Sequence, residues 1–141
     1  MSQAEPGDEV VNMLISEAVK VLGNSYAPYS GVHVASAILG SNGRIYRGVN
    51  VENSSYGLTI CAERSAVSAM ITDGERKPLI VAIATDLEKP IPPCGACRQV
   101  IAEFNPDAWI VMYSVKSGER IIVSLRDLFP SPFKLSVEQS G

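Results

Sequence analysis

The sequence has no apolar run that approaches membrane-spanning length and no block of basic residues. A transmembrane helix needs about 20 consecutive apolar residues, and a nucleic-acid groove needs clustered positive charge, so we expect neither a membrane nor a nucleic acid as a partner. The formal net charge is −3, and the opening stretch, MSQAEPGDE, is polar and acidic rather than a secretory signal. We therefore expect a cytoplasmic protein.

Histidine and cysteine are both scarce. The chain has one histidine, His33, and three cysteines. His33 lies in a strand-like run well before the cysteines, where a single histidine is more typical of a surface or packing residue than of a metal ligand. Because no export signal is present, an odd number of cysteines favours reduced thiols over a disulfide with one thiol left over.

All three cysteines stand where a helix is predicted to begin. Cys61 precedes one run of apolar residues at helical spacing, 62–70. Cys94 and Cys97 precede a second such run, 98–104. The unpaired N–H groups and partial positive charge of a helix N-terminus stabilise a thiolate. The three thiolates together would bind one Zn²⁺ per chain and leave its fourth tetrahedral position open, which is typical of a catalytic site.

Glu63 is the best candidate for a catalytic carboxylate. Side chains tilt toward the N-terminus of a helix, so Cys61 and Glu63 can converge on a point just beyond it. A ligand-x-Glu segment followed by Pro-Cys-x-x-Cys is the signature of zinc deaminases, in which the glutamate transfers protons without binding the metal. The alternative is a dithiol redox motif with an inert third cysteine, but that leaves Glu63 and Pro93 unexplained.

The length and composition fit one folded domain spanning residues 1–141, with residues 1–7 and 134–141 as flexible tails. Of the 141 residues, 46% are apolar and 19% are charged, which is enough to build a core. Apolar periodicity and turn signals predict the order α-β-β-α-β-α-β-β. The expected fold class is α/β, with a single mixed five-stranded sheet flanked by helices.

Some element boundaries can be predicted from local signals. Asp8 is expected to cap a first helix that runs to about Leu22. Two strands, 32–40 and 44–50, flank Ser41-Asn42-Gly43, which is a strong hairpin signal. The almost unbroken apolar run 79–85 is typical of a central strand covered on both faces.

Several segments of the sequence form a specific combination in this order: Tyr26-Ala27-Pro28-Tyr29-Ser30, Asn50-Val51-Glu52-Asn53, Tyr56, Cys61-Ala62-Glu63-Arg64 and Pro93-Cys94-Gly95-Ala96-Cys97-Arg98-Gln99. Taken together, they resemble the small homotetrameric cytidine deaminases. The likeness runs from about residue 8 to Phe133, which is nearly the whole chain. It implies a cytidine-deaminase-like fold and the hydrolytic deamination of cytidine and deoxycytidine in pyrimidine salvage, with uridine or deoxyuridine and ammonia as products.

The resemblance also implies a role for each residue of the metal site. Cys61, Cys94 and Cys97 would hold the zinc. Glu63 would be the proton shuttle, and Arg64 would hydrogen-bond the zinc thiolates. From the sequence alone, Arg64 could equally be an exposed salt-bridge partner.

The resemblance further implies a nucleoside site shared between the subunits of a homotetramer. Asn50 and Glu52 would hydrogen-bond the ribose hydroxyls. Tyr56 would contact the sugar end from a neighbouring subunit, and Phe133 would pack on the base in another subunit's site. From its position alone, Phe133 is a loose surface residue, a packing residue of its own subunit or an anchor in a neighbour, and the second of these is favoured.

Val32 departs from the family pattern, because it stands where an aromatic residue usually stacks on the base. The same region, through 43–45 and 48–51, resembles blasticidin S deaminase, which removes the same amino group from a nucleoside antibiotic. Glu52 and Arg64 follow the cytidine deaminase pattern instead. Deamination of such an antibiotic stays open as an alternative, as does a non-catalytic zinc or redox protein. The net negative charge argues against a polynucleotide deaminase, which would need positive charge to bind its substrate.

Overall fold

The structure is a computed structural model that describes residues 4–136. Residues 1–3 and 137–141, which belong to the predicted tails, lie outside the described residues. None of the helices within residues 4–136 is long and apolar enough to cross a bilayer. The elements are α1 Asp8–Leu22, β1 Val34–Gly40, β2 Ile45–Val49, a 3₁₀ helix Tyr56–Leu58, α2 Ala62–Thr72, β3 Pro78–Thr85, α3 Gly95–Phe104, β4 Trp109–Ser114, β5 Arg120–Ser124 and α4 Leu125–Leu128.

The five strands form one mixed sheet in the order β2-β1-β3-β4-β5. Strands β3 and β4 run parallel and are joined through α3, whereas the other neighbouring pairs are antiparallel. Strand β3 lies in the middle, and its residues from Ile80 to Thr85 are all buried, as its apolar run predicts. The predicted fold class and element order are therefore confirmed.

Helices cover both faces of the sheet, which explains the apolar character of β3. Val81 and Ile83 belong to the core on the side of α2 and α3. Ala82 and Ala84, which alternate with them, belong to the core beneath α1. The alternation follows from the two-residue period of a strand, and the small alanine side chains let α1 lie close to the sheet.

Three predicted boundaries need correction. Asp8 does not cap α1, because Gly7 occupies the cap position. Asp8 is the first helical residue, and its carboxylate forms an ion pair of 2.8 Å with Arg120 on β5. The first strand begins at Val34 rather than residue 32, and the second ends at Val49 rather than residue 50. Both shortened ends lie at Asn50, whose backbone N–H bonds the Val34 carbonyl at 3.2 Å. Its side-chain amide bonds the Val34 N–H and the Val32 carbonyl in addition.

Gly48 allows helix α2 to lie directly on strand β2. A Cβ atom at this position would lie 2.4 Å from the Ala66 nitrogen and 2.6 Å from the Ala62 carbonyl oxygen. Both neighbours are main-chain atoms of α2, so they can yield only if the helix itself moves. Glycine at position 48 therefore sets the place of the helix that follows Cys61 and carries Glu63.

Candidate metal centre and active site

The two cysteine segments occupy the starts of two helices, as predicted. Cys61 is the cap residue of α2, and Cys94 is the cap residue of α3, both with extended backbone. Cys97 lies one turn into α3. Neither cap residue bonds the first helical turn through its side chain. Their sulfur atoms are therefore free to face a common point in the positive potential of two helix N-termini.

The three sulfur atoms are spaced as a zinc site requires. They all lie within 4.8 Å of one another. The Cys61 and Cys94 sulfurs are 3.8 Å apart, and those of Cys94 and Cys97 are 3.5 Å apart. Tetrahedral Zn–S bonds of about 2.3 Å place two sulfurs about 3.8 Å apart. The separations of Cys94 from Cys61 and from Cys97 therefore match or approach this value, so the three cysteines suit Zn²⁺ as its ligands.

Burial of the cysteines decides which side of the cluster stays open. Cys97 is buried, Cys61 is half-buried and Cys94 is exposed. A fourth ligand can therefore approach from the Cys94 side. This openness distinguishes the cluster from a structural site, in which four protein ligands enclose the metal.

The cluster favours a thiolate at neutral pH. A hydrogen bond from the Cys97 thiol, together with the nearby Arg64 and Cys94, lowers the pKa of Cys61 to about 5. The same hydrogen bond and burial raise the pKa of Cys97, because one proton lies between the two sulfurs. Displacing that proton leaves a second thiolate, which is the form that binds a metal ion.

Glu63 lies in the first turn of α2 with only 5% of its surface exposed. Burial raises the pKa of its carboxyl group to about 7, and the negative charge of Cys61 acts in the same direction. A carboxyl group that titrates near neutrality can both accept and release a proton. The structure therefore places a buried carboxyl group, with a pKa suited to proton transfer, beside the sulfur cluster.

Arg64 contacts the cluster from the next position on the helix. Its Nη2 atom lies 3.6 Å from the Cys61 sulfur and 3.5 Å from the carbonyl oxygen of Thr59. The Cys61 thiolate raises the pKa of this guanidinium, so the positive charge is permanent. Arg64 is thus a partner of a cluster sulfur, as the resemblance implies, and not an exposed salt-bridge residue.

A cavity of about 350 Å³ holds two of the four predicted substrate-binding residues, Glu52 and Tyr56. Tyr29, Ser30 and Thr59 complete its lining. The Tyr29 and Tyr56 rings meet edge to face with centroids 5.8 Å apart. No role for Tyr29, Ser30 or Thr59 is predicted from the sequence, although the first two belong to one of the matching segments.

Glu52 is held in place by the backbone on the opposite side of the cavity. The N–H groups of Tyr29 and Ser30 donate to its carboxylate at 2.9 and 3.1 Å, and the Ser30 hydroxyl donates as well. These bonds, above all the one from the Ser30 hydroxyl, lower the pKa of Glu52. The cavity therefore presents an oriented, ionised carboxylate.

Asn50 is not part of this cavity lining, and its side chain is largely occupied. Its amide nitrogen donates to the Val32 carbonyl at 2.9 Å, and its oxygen accepts from the Val34 N–H at 3.0 Å and from the Ser25 hydroxyl. One amide N–H is left for a substrate. The observed contacts give Asn50 a structural role in joining this loop to β1.

Val32 and Phe133 lie apart from the cavity lining as well. Val32 is partly buried and packs against the core that includes Ala62. Phe133 is 70% exposed, and its backbone bonds the Gln99 side chain on α3. Within one chain, Phe133 therefore does not join Glu52 and Tyr56.

Comparisons with known proteins agree with this geometry. Residues 9–113 match the family described as the cytidine and deoxycytidylate deaminase zinc-binding region. The cytidine deaminase of Halalkalibacterium halodurans is 41% identical over 121 residues, covering 86% of this chain and 92% of the relative. That of Sporosarcina psychrophila is 42% identical over 123 residues, covering 87% and 90%.

Solved structures show the same relationship. The cytidine deaminase from Burkholderia pseudomallei superposes with a TM-score of 0.82 at 38% identity, covering 86% of this chain and 98% of that one. The enzyme from Mycobacterium tuberculosis gives 0.78 at 37% identity, covering 92% and 100%. Matches of this length and identity show that the chain belongs to the zinc-binding family of cytidine and deoxycytidylate deaminases.

Proposed function

We propose that the chain is a zinc-dependent enzyme that hydrolyses the exocyclic amino group of cytidine and deoxycytidine, giving uridine or deoxyuridine and ammonia. The observation that carries this proposal is the buried Glu63 carboxyl group beside an open cluster of three cysteine sulfurs. The relatives and solved structures with the same fold are named cytidine deaminases. Reduced thiols at the cluster suit the cytoplasm, where such a reaction would serve pyrimidine salvage.

Glu63 performs the proton transfers. Zinc held by Cys61, Cys94 and Cys97 would make hydroxide available near neutral pH by lowering the pKa of water. Glu63 takes one proton from that water and delivers it to ring N3, which makes C4 electrophilic. The water oxygen then bonds to C4. Glu63 carries the second proton to the departing amino group, so C4 keeps the oxygen and ammonia leaves.

Arg64 adjusts the charge of the cluster. Three thiolates carry one more negative charge than Zn²⁺ can neutralise, which would weaken the acidity of the metal. Because Arg64 lies 3.6 Å from the Cys61 sulfur, it withdraws electron density from that ligand. We therefore assign Arg64 the role of keeping the site acidic enough for hydrolysis.

Glu52 favours a nucleoside over a nucleotide. Its carboxylate is fixed by Tyr29 and Ser30 and stays ionised, so it can accept hydrogen bonds from sugar hydroxyls. A phosphate on the sugar would bring further negative charge toward this carboxylate, which is unfavourable. The proposed substrates are therefore cytidine and deoxycytidine rather than deoxycytidylate.

A substrate panel tests this choice. We expect kcat/KM for cytidine and deoxycytidine to exceed that for deoxycytidylate by at least about tenfold, since juxtaposed like charges cost more than about 1.4 kcal/mol. Loss of cytosine absorbance and release of ammonia give the rates. Preference for blasticidin S would identify an antibiotic deaminase, and a zinc-loaded protein without turnover of any of these compounds would contradict the enzymatic proposal.

We also propose that four copies assemble with shared sites. The large apolar side chains at the surface concentrate in the segments 26–29, 51–60 and 133–135, the first two of which contain four of the five residues that line the cavity. Tyr56 is 74% exposed although it stands at the cavity. Exposed apolar surface of this kind is typical of an interface. A second copy would cover it, and Phe133 from a neighbouring subunit would supply the aromatic contact that Val32 lacks.

Mixing two impaired variants tests the shared site. Phe133→Ala is expected to weaken substrate use by about 2- to 12-fold without loss of zinc, since an aromatic contact contributes about 0.5–1.5 kcal/mol. Mixed with Glu63→Gln under conditions of subunit exchange, it should give more activity than the sum of the two parents. Some mixed sites would then contain an unsubstituted Glu63 from one chain and an unsubstituted Phe133 from another. A monomer in light scattering, or no gain after proven exchange, would overturn the shared-site proposal.

A further inference from the structure

Helix α3 holds the metal ligands on one side and the C-terminal segment on another. Arg98 donates from Nε to the Pro93 carbonyl at 2.7 Å and from Nη1 to the Leu128 carbonyl at 2.9 Å. It thus ties the loop before Cys94 to the last turn of α4. Gln99, the next residue along, makes the following contact with the C-terminal segment. The metal-bearing helix is therefore also the support for the chain that leads to Phe133.

The Gln99 side chain bonds both main-chain polar groups of Phe133. Its Nε2 atom donates to the Phe133 carbonyl at 2.8 Å, and its Oε1 atom accepts from the Phe133 N–H at 3.2 Å. One amide thus pairs with one residue much as a neighbouring strand would. Because the site is exposed, water could satisfy these groups equally well. What the paired bonds add is a fixed direction for the backbone, and hence for the Cα–Cβ bond from which the ring extends.

A second contact of this segment, within the part of the chain that the structure describes, is weaker by comparison. Lys134 forms an ion pair of 2.8 Å with Glu103, one turn farther along α3. Both side chains are well exposed, and exposed ion pairs of this kind are screened by solvent. The direction of the Phe133 ring, which is itself 70% exposed, therefore depends mainly on Gln99.

We propose that Gln99 is a positioning residue for substrate binding, which holds the Phe133 backbone so that the aromatic ring projects from α3 in a single direction. This inference rests on the proposed function, in which that ring packs on the base in a neighbouring subunit's site. Gln99 itself touches no substrate. By restricting the Phe133 backbone before the base binds, Gln99 lowers the conformational entropy that is lost on binding.

The test is the variant Gln99→Met, which keeps the length and helix preference of the side chain but removes both hydrogen bonds. We expect faster hydrogen exchange at the Phe133 amide, unchanged zinc content and a KM for cytidine raised by about 2- to 12-fold, the range set by loss of the aromatic contact that Gln99 supports. The value of kcat should stay within about twofold, because the contact holds substrate and transition state alike.

A double-mutant cycle separates positioning from a general structural effect. If Gln99 acts through Phe133, adding Gln99→Met to Phe133→Ala will raise KM no further. Glu103→Gln, which removes only the exposed ion pair on the same helix, is the matched control and should change KM by less than about twofold. Independent, multiplying effects of Gln99→Met and Phe133→Ala would overturn the proposal.

Failure of the proposed function can be told apart from failure of this inference. A parent protein that does not deaminate cytidine would refute the function, and exchange at the Phe133 amide would then decide the role of Gln99 alone. Unchanged exchange in Gln99→Met overturns that role, and faster exchange supports it. If the parent is active, a KM of Gln99→Met equal to that of the parent overturns the positioning role, regardless of the exchange rate at the Phe133 amide.

Discussion

Replacing Glu63 with glutamine is expected to remove nearly all turnover while leaving the fold and the zinc in place. Glutamine has almost the same shape, but its amide cannot accept and release the protons that the reaction moves. General acid–base catalysis contributes about 10²–10⁴ in rate, so kcat should fall by at least about 100-fold. Steady-state rates on cytidine and metal analysis of the same preparation provide the measurement.

Stability offers an independent check on this variant. Burial raises the pKa of Glu63 to about 7, so ionising the carboxyl group at higher pH destabilises the folded state. The neutral amide removes that effect, and Glu63→Gln should be at least as stable as the parent at about pH 8. Glu9→Gln, an exposed change on α1 across the sheet, is the control and should alter neither rate nor stability. Retention of zinc with a rate within about tenfold of the parent would show that Glu63 is not the proton shuttle.

Replacing Cys94 with alanine is expected to abolish both zinc binding and activity. Two sulfurs on α2 and α3 would remain, which is one too few for a catalytic zinc site. Because Cys94 is exposed, its truncation removes little packing, unlike truncation of the buried Cys97. Metal analysis should give about one zinc per chain in the parent, as the three-ligand site predicts, and less than about a tenth of that in the variant.

Chelation separates the contribution of the metal from that of the side chain. A ligand that binds only the folded state stabilises it, so zinc should raise the melting temperature of the parent. With a chelator present, the parent and Cys94→Ala should melt at similar temperatures. Ala96→Ser, an exposed change on the same helical turn, should keep its zinc and serve as the control. A parent purified without added chelator that contains almost no zinc would contradict the metal assignment.

Local sequence signals were sufficient for the metal site and much of the fold. Cys61 and Cys94 were predicted at helix starts because capping and apolar periodicity are properties of a few neighbouring residues. The hairpin at Gly43 was predicted for the same reason, and this glycine has a φ of 83° there. The central position of β3 follows from its unbroken apolar run, which only a strand covered on both faces can bury.

Contacts between distant residues were decided by the tertiary structure alone. Asp8 satisfies the local rule for a helix cap, yet its carboxylate pairs with Arg120, which lies near only because β5 ends the sheet on that side. The resemblance implies that Asn50 binds ribose, and that role stays a prediction; the structure adds that its amide also meets Val32 and Val34 across the β1–β2 hairpin. Neither of these contacts can be predicted from residue types or from their spacing in the sequence.

The substrate-binding part of the site also combines features that local sequence predicts with features that only tertiary contacts decide. Glu52 could be named from its segment, but its fixed orientation comes from the backbone N–H groups of Tyr29 and Ser30, more than twenty residues earlier. The hold of Gln99 on Phe133 spans 34 residues. The sequence alone was enough to predict the chemistry, because the three cysteines and Glu63 fall in two short motifs, 61–63 and 94–97. Tertiary structure determined how the surrounding groups are oriented, because chain segments far apart in sequence meet only after the sheet has formed.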